Sequence, residues 1–144
     1  MAILTAVEIR EYLSDKPELN HLLDGVEFPD TMISIAMDLA VNEFNLIPPL
    51  SAVDINTFPN RALLMSGTIY KMLTGQATLL ARNTMAYNDG GVSIPIEERA
   101  QLYQSLAATF QSDFQTAARA YKIQANYESG WGGISSDYGQ FPLW

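Results

Sequence analysis

The sequence predicts a mainly α protein: a bundle of about four helices, with one small β-hairpin and an extended C-terminal arm. Three observations lead there. Apolar residues recur at spacings of three and four through long stretches, the period of an amphipathic helix. Clusters of Pro, Gly, Asn and Asp separate those stretches. The last eighteen residues then abandon the period while keeping many large rings.

The first helix opens at a T-x-x-E capping box, Thr5 with Glu8, in which each residue satisfies a free backbone N–H of the other. It covers about 6–14, with Val7, Ile9, Tyr12 and Leu13 apolar, and Pro17 helps to end it. Residues 15–29 read as loop, with a helical turn near 21–23. Asp30 is placed to cap a second helix over about 31–45, where Ile33, Ala36, Ala40 and Phe44 make one stripe, widened by Met32, Ile35 and Leu39, and Pro48-Pro49 enforces a stop. Asn60 caps a third helix over 61–83, striped by Ala62, Met65, Ile69, Met72, Leu73, Ala77 and Leu80. Gly67 and Gly75 lie inside it, each costing roughly 1 kcal/mol against alanine, and close approach of another backbone is the expected compensation. Asn88-Asp89-Gly90-Gly91, flanked by Tyr87 and Val92, supplies the positive φ of a tight hairpin turn. Pro95, followed by Glu97 and Glu98, opens a last helix over about 95–126. Its stripe is Tyr103, Leu106, Phe110, Phe114, Ala117 and Tyr121, backed by Leu102 and Ala118, and at 1.5 Å per residue it is about 45 Å long.

Residues 1–126 therefore form one helical domain and 127–144 an arm. The arm carries Tyr127, Trp131, Tyr138, Phe141 and Trp144 among Gly130, Gly132, Gly133, Gly139 and Pro142. Glycine disfavours an isolated helix there, and large rings favour burial, so the rings are partner-binding candidates that order by lying on a neighbouring subunit, the alternative being a tail folded back over its own core.

Composition narrows the function classes. A chain of 144 residues suits one domain and buries a core without staples. It has no cysteine, which excludes disulfides, zinc–thiolate sites and thiol catalysis. The net charge of −8 is uneven: residues 1–58 hold ten acids against Arg10 and Lys16, while 59–144 balance six acids with six bases. Such an acidic half repels phosphate and argues against a DNA-reading domain, although it suits a lining beside passing DNA. The bases Arg61, Lys71, Arg82, Arg99, Arg119 and Lys122 read as solvated faces and as partners for acids of a neighbouring subunit. Glu8, Arg10, Glu11, Asp15 and Lys16 interrupt any secretory apolar run, and no stretch of eighteen apolar residues spans a membrane.

No constellation carries catalysis. His21 is the only histidine, so a metal site would need an all-carboxylate shell around it, and no G-x-S-x-G or E-x-x-H occurs. Asp38 and Glu43 sit five apart, on different helix faces. Residues 88–91 lack the alternating acids of a calcium loop, and Gly130-Trp-Gly-Gly is no phosphate cradle. No enzyme, cofactor or metal is expected.

The Tyr87-to-Val92 loop, the long helix after it and the aromatic–glycine tail resemble the head–tail connector (adaptor or neck) proteins of tailed bacteriophages. The resemblance covers roughly the second half of the chain, the first half agreeing in being helical and acidic. It implies a structural virion protein, assembled in the host bacterial cytoplasm. Its copies would form a homo-oligomeric ring, dodecameric in the family, beneath the portal protein and around the DNA path. Other neck or tail proteins would be further partners, DNA would pass without specific contact, and the C-terminal arm would embrace a neighbour or the portal. A tail-terminator or capsid-associated protein is the alternative within that class. A soluble helical protein-binding module from a bacterial regulatory system is the alternative outside it.

Overall fold

The structure, a computed structural model, describes residues 4–20, 25–83 and 96–131. They form four helices, α1 (Ala6–Leu13), α2 (Asp30–Leu46), α3 (Arg61–Asn83) and α4 (Ile96–Trp131), and contain no strand. The mainly α class holds. The hairpin expected at 88–91 and the turn expected at 21–23 lie outside the described residues.

The capping box forms as the sequence indicates. Thr5 N donates to Glu8 Oε2 at 2.9 Å, and Glu8 N donates to Thr5 Oγ1 at 3.3 Å. The helix ends before Pro17 can act. Ser14 takes the left-handed conformation (φ 55°), and its N–H and that of Asp15 close on Glu11 O and Arg10 O at 3.2 and 3.0 Å.

The cap expected of Asp30 does not form. Pro29 is the N-cap and has no side-chain hydrogen bond to give, so Asp30 is the first helical residue. Its carboxylate is held instead by Arg10, whose guanidinium also donates to Phe28 O at 3.0 and 3.1 Å. A long-range ion pair thus outcompetes a local cap and ties the start of α2 to α1. Asn60 does cap α3, accepting Leu63 N at 3.1 Å.

The helices meet in register. Glu27 accepts from Gln76 at 3.2 Å and from Tyr103 at 2.5 Å at one end of the bundle. Gly67 faces Ala40 and Phe114 in the middle. Lys122 reaches Ile47 O at the other end. Hence α2 and α4 run the same way and α3 runs against both. The core between them is closed by Ile33, Phe44, Leu64, Ile69, Met72 and Phe114, all essentially inaccessible.

The glycines of α3 are approached by side chains rather than by the backbone that the sequence led one to expect. A Cβ on Gly67 would lie 2.6 and 2.8 Å from two ring carbons of Phe114 and 3.0 Å from Ala40 Cβ, so the position admits only hydrogen. A Cβ on Gly75 would meet only the terminal methyl of Met32, at 2.9 Å.

The inner stripe of α4 departs from expectation. Ala107, Phe114, Ala118 and Lys122 are buried, with Tyr103 and Phe110 packed against the core, while Leu102, Leu106 and Tyr121 remain exposed. Tight packing of α3 on α4 favours alanine at the contact and turns the leucines outward. The helix also continues through 127–131, past the expected end at 126. A single glycine in the last turn costs only about 1 kcal/mol. Local bonds hold that turn: Gln124 to Glu128 at 2.9 Å and Ser129 Oγ to Asn126 O at 3.0 Å. At 1.5 Å per residue its 36 residues span about 54 Å.

Candidate functional site

Of the arm residues, Tyr127 and Trp131 belong to α4, and Tyr127 stands 63 % exposed. Tyr138, Phe141 and Trp144 lie outside the described residues, as do Asn88, Asp89, Gly90 and Gly91. The first five residues of the expected arm, 127–131, are thus helical, and the rest of it lies outside the described residues.

Around Tyr127 the surface is apolar. Tyr127 and Ile123, one turn apart on α4, share a shallow depression with Pro49 and Asn126. Directly behind lies Lys122, only 4 % exposed. It donates to Ile47 O at 2.6 Å and Pro49 O at 3.0 Å, with its ammonium 4.5 Å from the centre of the Phe44 ring. These are carbonyls just past the C-terminus of α2, where a cation is favoured by the helix dipole and by orphaned acceptors. Burial pushes the Lys122 pKa below the ordinary lysine value. Its charge is committed to joining α4 to α2, so the reading of Lys122 as a solvated base does not hold. The signal was present in the spacing: Phe114, Ala118 and Lys122 step by four along one face.

The sequence reading counted Ile35 and Leu39 in the core stripe of α2, and the structure turns them outward. On α2, Ile35, Leu39 and Leu46 are 59 %, 48 % and 74 % exposed. Their spacing of four and seven puts them in one line along the helix, opposite the buried line of Ile33, Ala36, Ala40 and Phe44. On α4, Leu102, Leu106, Ile123 and Tyr127 are likewise exposed. The three-and-four rule was applied to one stripe per helix, whereas α2 and α4 each carry two.

Four ion pairs form among the described residues. Arg10 pairs with Asp30, Lys16 with Glu11 at 2.7 Å, Arg61 with Glu8, and Lys71 with Glu43 at 2.8 Å. Glu43 also accepts from Gln115 at 3.1 Å, linking α2 to both other long helices. The Tyr103 hydroxyl is pushed up to about 12, first by burial and then by its bond to Glu27.

A cleft of about 440 Å³ runs between α3 and α4 and is lined by Thr74, Ala77, Thr78, Ala100, Gln104 and Ala107 among others. Among the described residues its lining contains no acid, base or histidine, and the hydroxyls of Thr74 and Thr78 are bonded back to Tyr70 O and Thr74 O. Among the described residues no three His, Asp or Glu side chains stand together to hold a metal, and no helix is long and apolar enough to cross a membrane.

No family model matches this chain, and no curated protein or solved structure shows significant similarity to it.

Proposed function

We propose that this chain is a structural virion protein, a head–tail connector subunit that assembles into a ring between portal and tail and surrounds the DNA path. The observation that carries this reading is the pairing of a closed core with unpartnered apolar lines on both α2 and α4. A soluble monomer rarely leaves so many large aliphatic side chains in rows, and such rows mark surfaces that meet other chains. The long α4 supports the reading, because it runs the length of the bundle and leads straight into the aromatic segment 132–144. The acidic N-terminal half supports passage of DNA without adhesion.

A chain truncated after Trp131 tests this reading. It keeps all four helices, so its helical circular dichroism and melting temperature match those of the full chain. The expected result is that full-length protein co-sediments with portal-bearing particles while the truncated protein stays in the supernatant. Attachment of the truncated chain with undiminished affinity contradicts the role given to the arm. Failure of both to attach contradicts the connector reading and leaves the helical binding module.

A further inference from the structure

We propose that the outer line of α2 in one copy packs against the C-terminal half of α4 in the next copy, with Asp38 of the first opposite Arg119 of the second. This rests on the ring-assembly reading above and names the surfaces that would build the ring.

Charge accounting selects the pair. Among the bases of the described residues, Arg10, Lys16, Arg61 and Lys71 have carboxylate partners in their own chain. Lys122 is buried on two carbonyls, and Arg99 lies at the Tyr103 hydroxyl. Arg82 and Arg119 have no ion pair, and only Arg119 stands beside an exposed apolar line, one turn before Ile123 and two before Tyr127. Among the acids, Glu8, Glu11, Asp30 and Glu43 are ion-paired. Asp15, Glu27, Asp54 and Glu128 are hydrogen-bonded within the fold. Three exposed acids, Glu18, Asp38 and Asp113, have no ion pair among the described residues, and only Asp38 lies on α2, between Ile35 and Leu39 in sequence.

The local fields agree with that selection. Helix α2 contains three acids and no base. Residues 114–127 of α4 contain Arg119 and Lys122 and no acid. Spacing agrees as well: Ile35 and Leu39 are four apart, as are Ile123 and Tyr127, so each pair projects from its helix about 6 Å apart. Two such lines interdigitate as ridges in grooves, with the opposite charges at the rim.

The contact is heterologous. Both lines are exposed within one copy, so neither covers the other, and each copy offers one of each. A surface A that meets a surface B on the next copy propagates, and it closes into a ring when the rotation allows.

The native chain has no cysteine, so crosslinking through introduced thiols reads this contact without background. The probe is the full chain bearing Leu39→Cys and Ile123→Cys together, oxidised at a concentration where native mass shows multimers. Both positions are exposed, and the reduced variant is first matched to the parent in melting temperature. The inference expects a ladder of covalent species beyond the dimer. Either single-cysteine variant should give none. The pair Leu39→Cys with Leu102→Cys, at the far end of α4, should also give none. Asp38→Arg or Arg119→Glu alone should weaken self-association about tenfold, and the two together should restore it. Multimers that form without the ladder overturn this contact and leave the ring reading standing. Dimers from a single-cysteine variant overturn its heterologous character. A chain that stays monomeric at every concentration overturns the contact outright.

Discussion

Asp15 is the buried carboxylate on which the turn after α1 depends. It accepts from Asn20 Nδ2 at 2.7 Å, Glu27 N at 2.7 Å and Phe28 N at 2.9 Å. Burial raises its pKa, but the bonds from Glu27, Asn20 and Phe28, with Arg10 nearby, outweigh burial and hold the carboxyl below its ordinary 3.8. A lowered carboxyl contributes stability that is complete above the unfolded value and lost as pH falls through the folded one. Asp15→Asn places an amide N–H₂ against donors, so it is expected to destabilise by about 2 kcal/mol at neutral pH. It should also flatten the loss of stability below roughly pH 4, where the parent sheds this contribution. Urea titrations of both chains across acid pH check the two expectations together. Lys122→Met is the second residue-scale test. The thioether keeps the packing of the stem but leaves Ile47 O and Pro49 O without their donor, for an expected loss of about 1–3 kcal/mol. An unchanged denaturation midpoint would show that water replaces the ammonium freely.

At the scale of the element, the two glycines of α3 separate local propensity from packing. Alanine favours a helix over glycine by roughly 1 kcal/mol at either position. At Gly67 the added methyl meets the Phe114 ring, which core packing cannot move, so Gly67→Ala is expected to destabilise by about 1–3 kcal/mol net. At Gly75 the obstacle is the end of the flexible Met32 side chain, so Gly75→Ala is expected to be neutral or stabilising by up to about 1 kcal/mol. Thermal melts of the two variants check the contrast, and equal effects contradict the packing account. Much of this level was legible in the sequence. The Thr5–Glu8 box, the Asn60 cap, the 61–83 span of α3 and the need for close approach at Gly67 follow from short-range chemistry that residue types announce. Other features needed tertiary knowledge. Asp30 lost its capping role to Arg10, twenty residues away. The inward face of α4 was set by the tightness of its contact with α3, which puts Ala107 and Ala118 inside and Leu102 and Leu106 outside. The exposed line of α2 looked like part of a wider core stripe, because periodicity gives faces without saying which of them will be covered.

For the whole molecule, the same facts describe a closed core with apolar lines left exposed on α2 and α4. Its polar pins (Glu27 with Tyr103, Glu43 with Lys71 and Gln115, Lys122 with Ile47) fix α2 and α4 relative to α3, so the outer lines of α2 and α4 hold a set orientation. A rigid pair of complementary surfaces on one subunit is what closed assembly requires, since the rotation between copies must repeat without error. Tyr138, Phe141 and Trp144, expected as anchors, lie outside the described residues, and the outward-facing apolar lines of α2 and α4 were not legible as a surface. Assembly of copies is the central claim, and native mass spectrometry of the full-length chain across a range of concentrations tests it most directly. The account predicts a single closed multi-subunit species that appears as concentration rises, with few intermediates between it and the monomer. A chain that remains monomer or dimer at every concentration contradicts it.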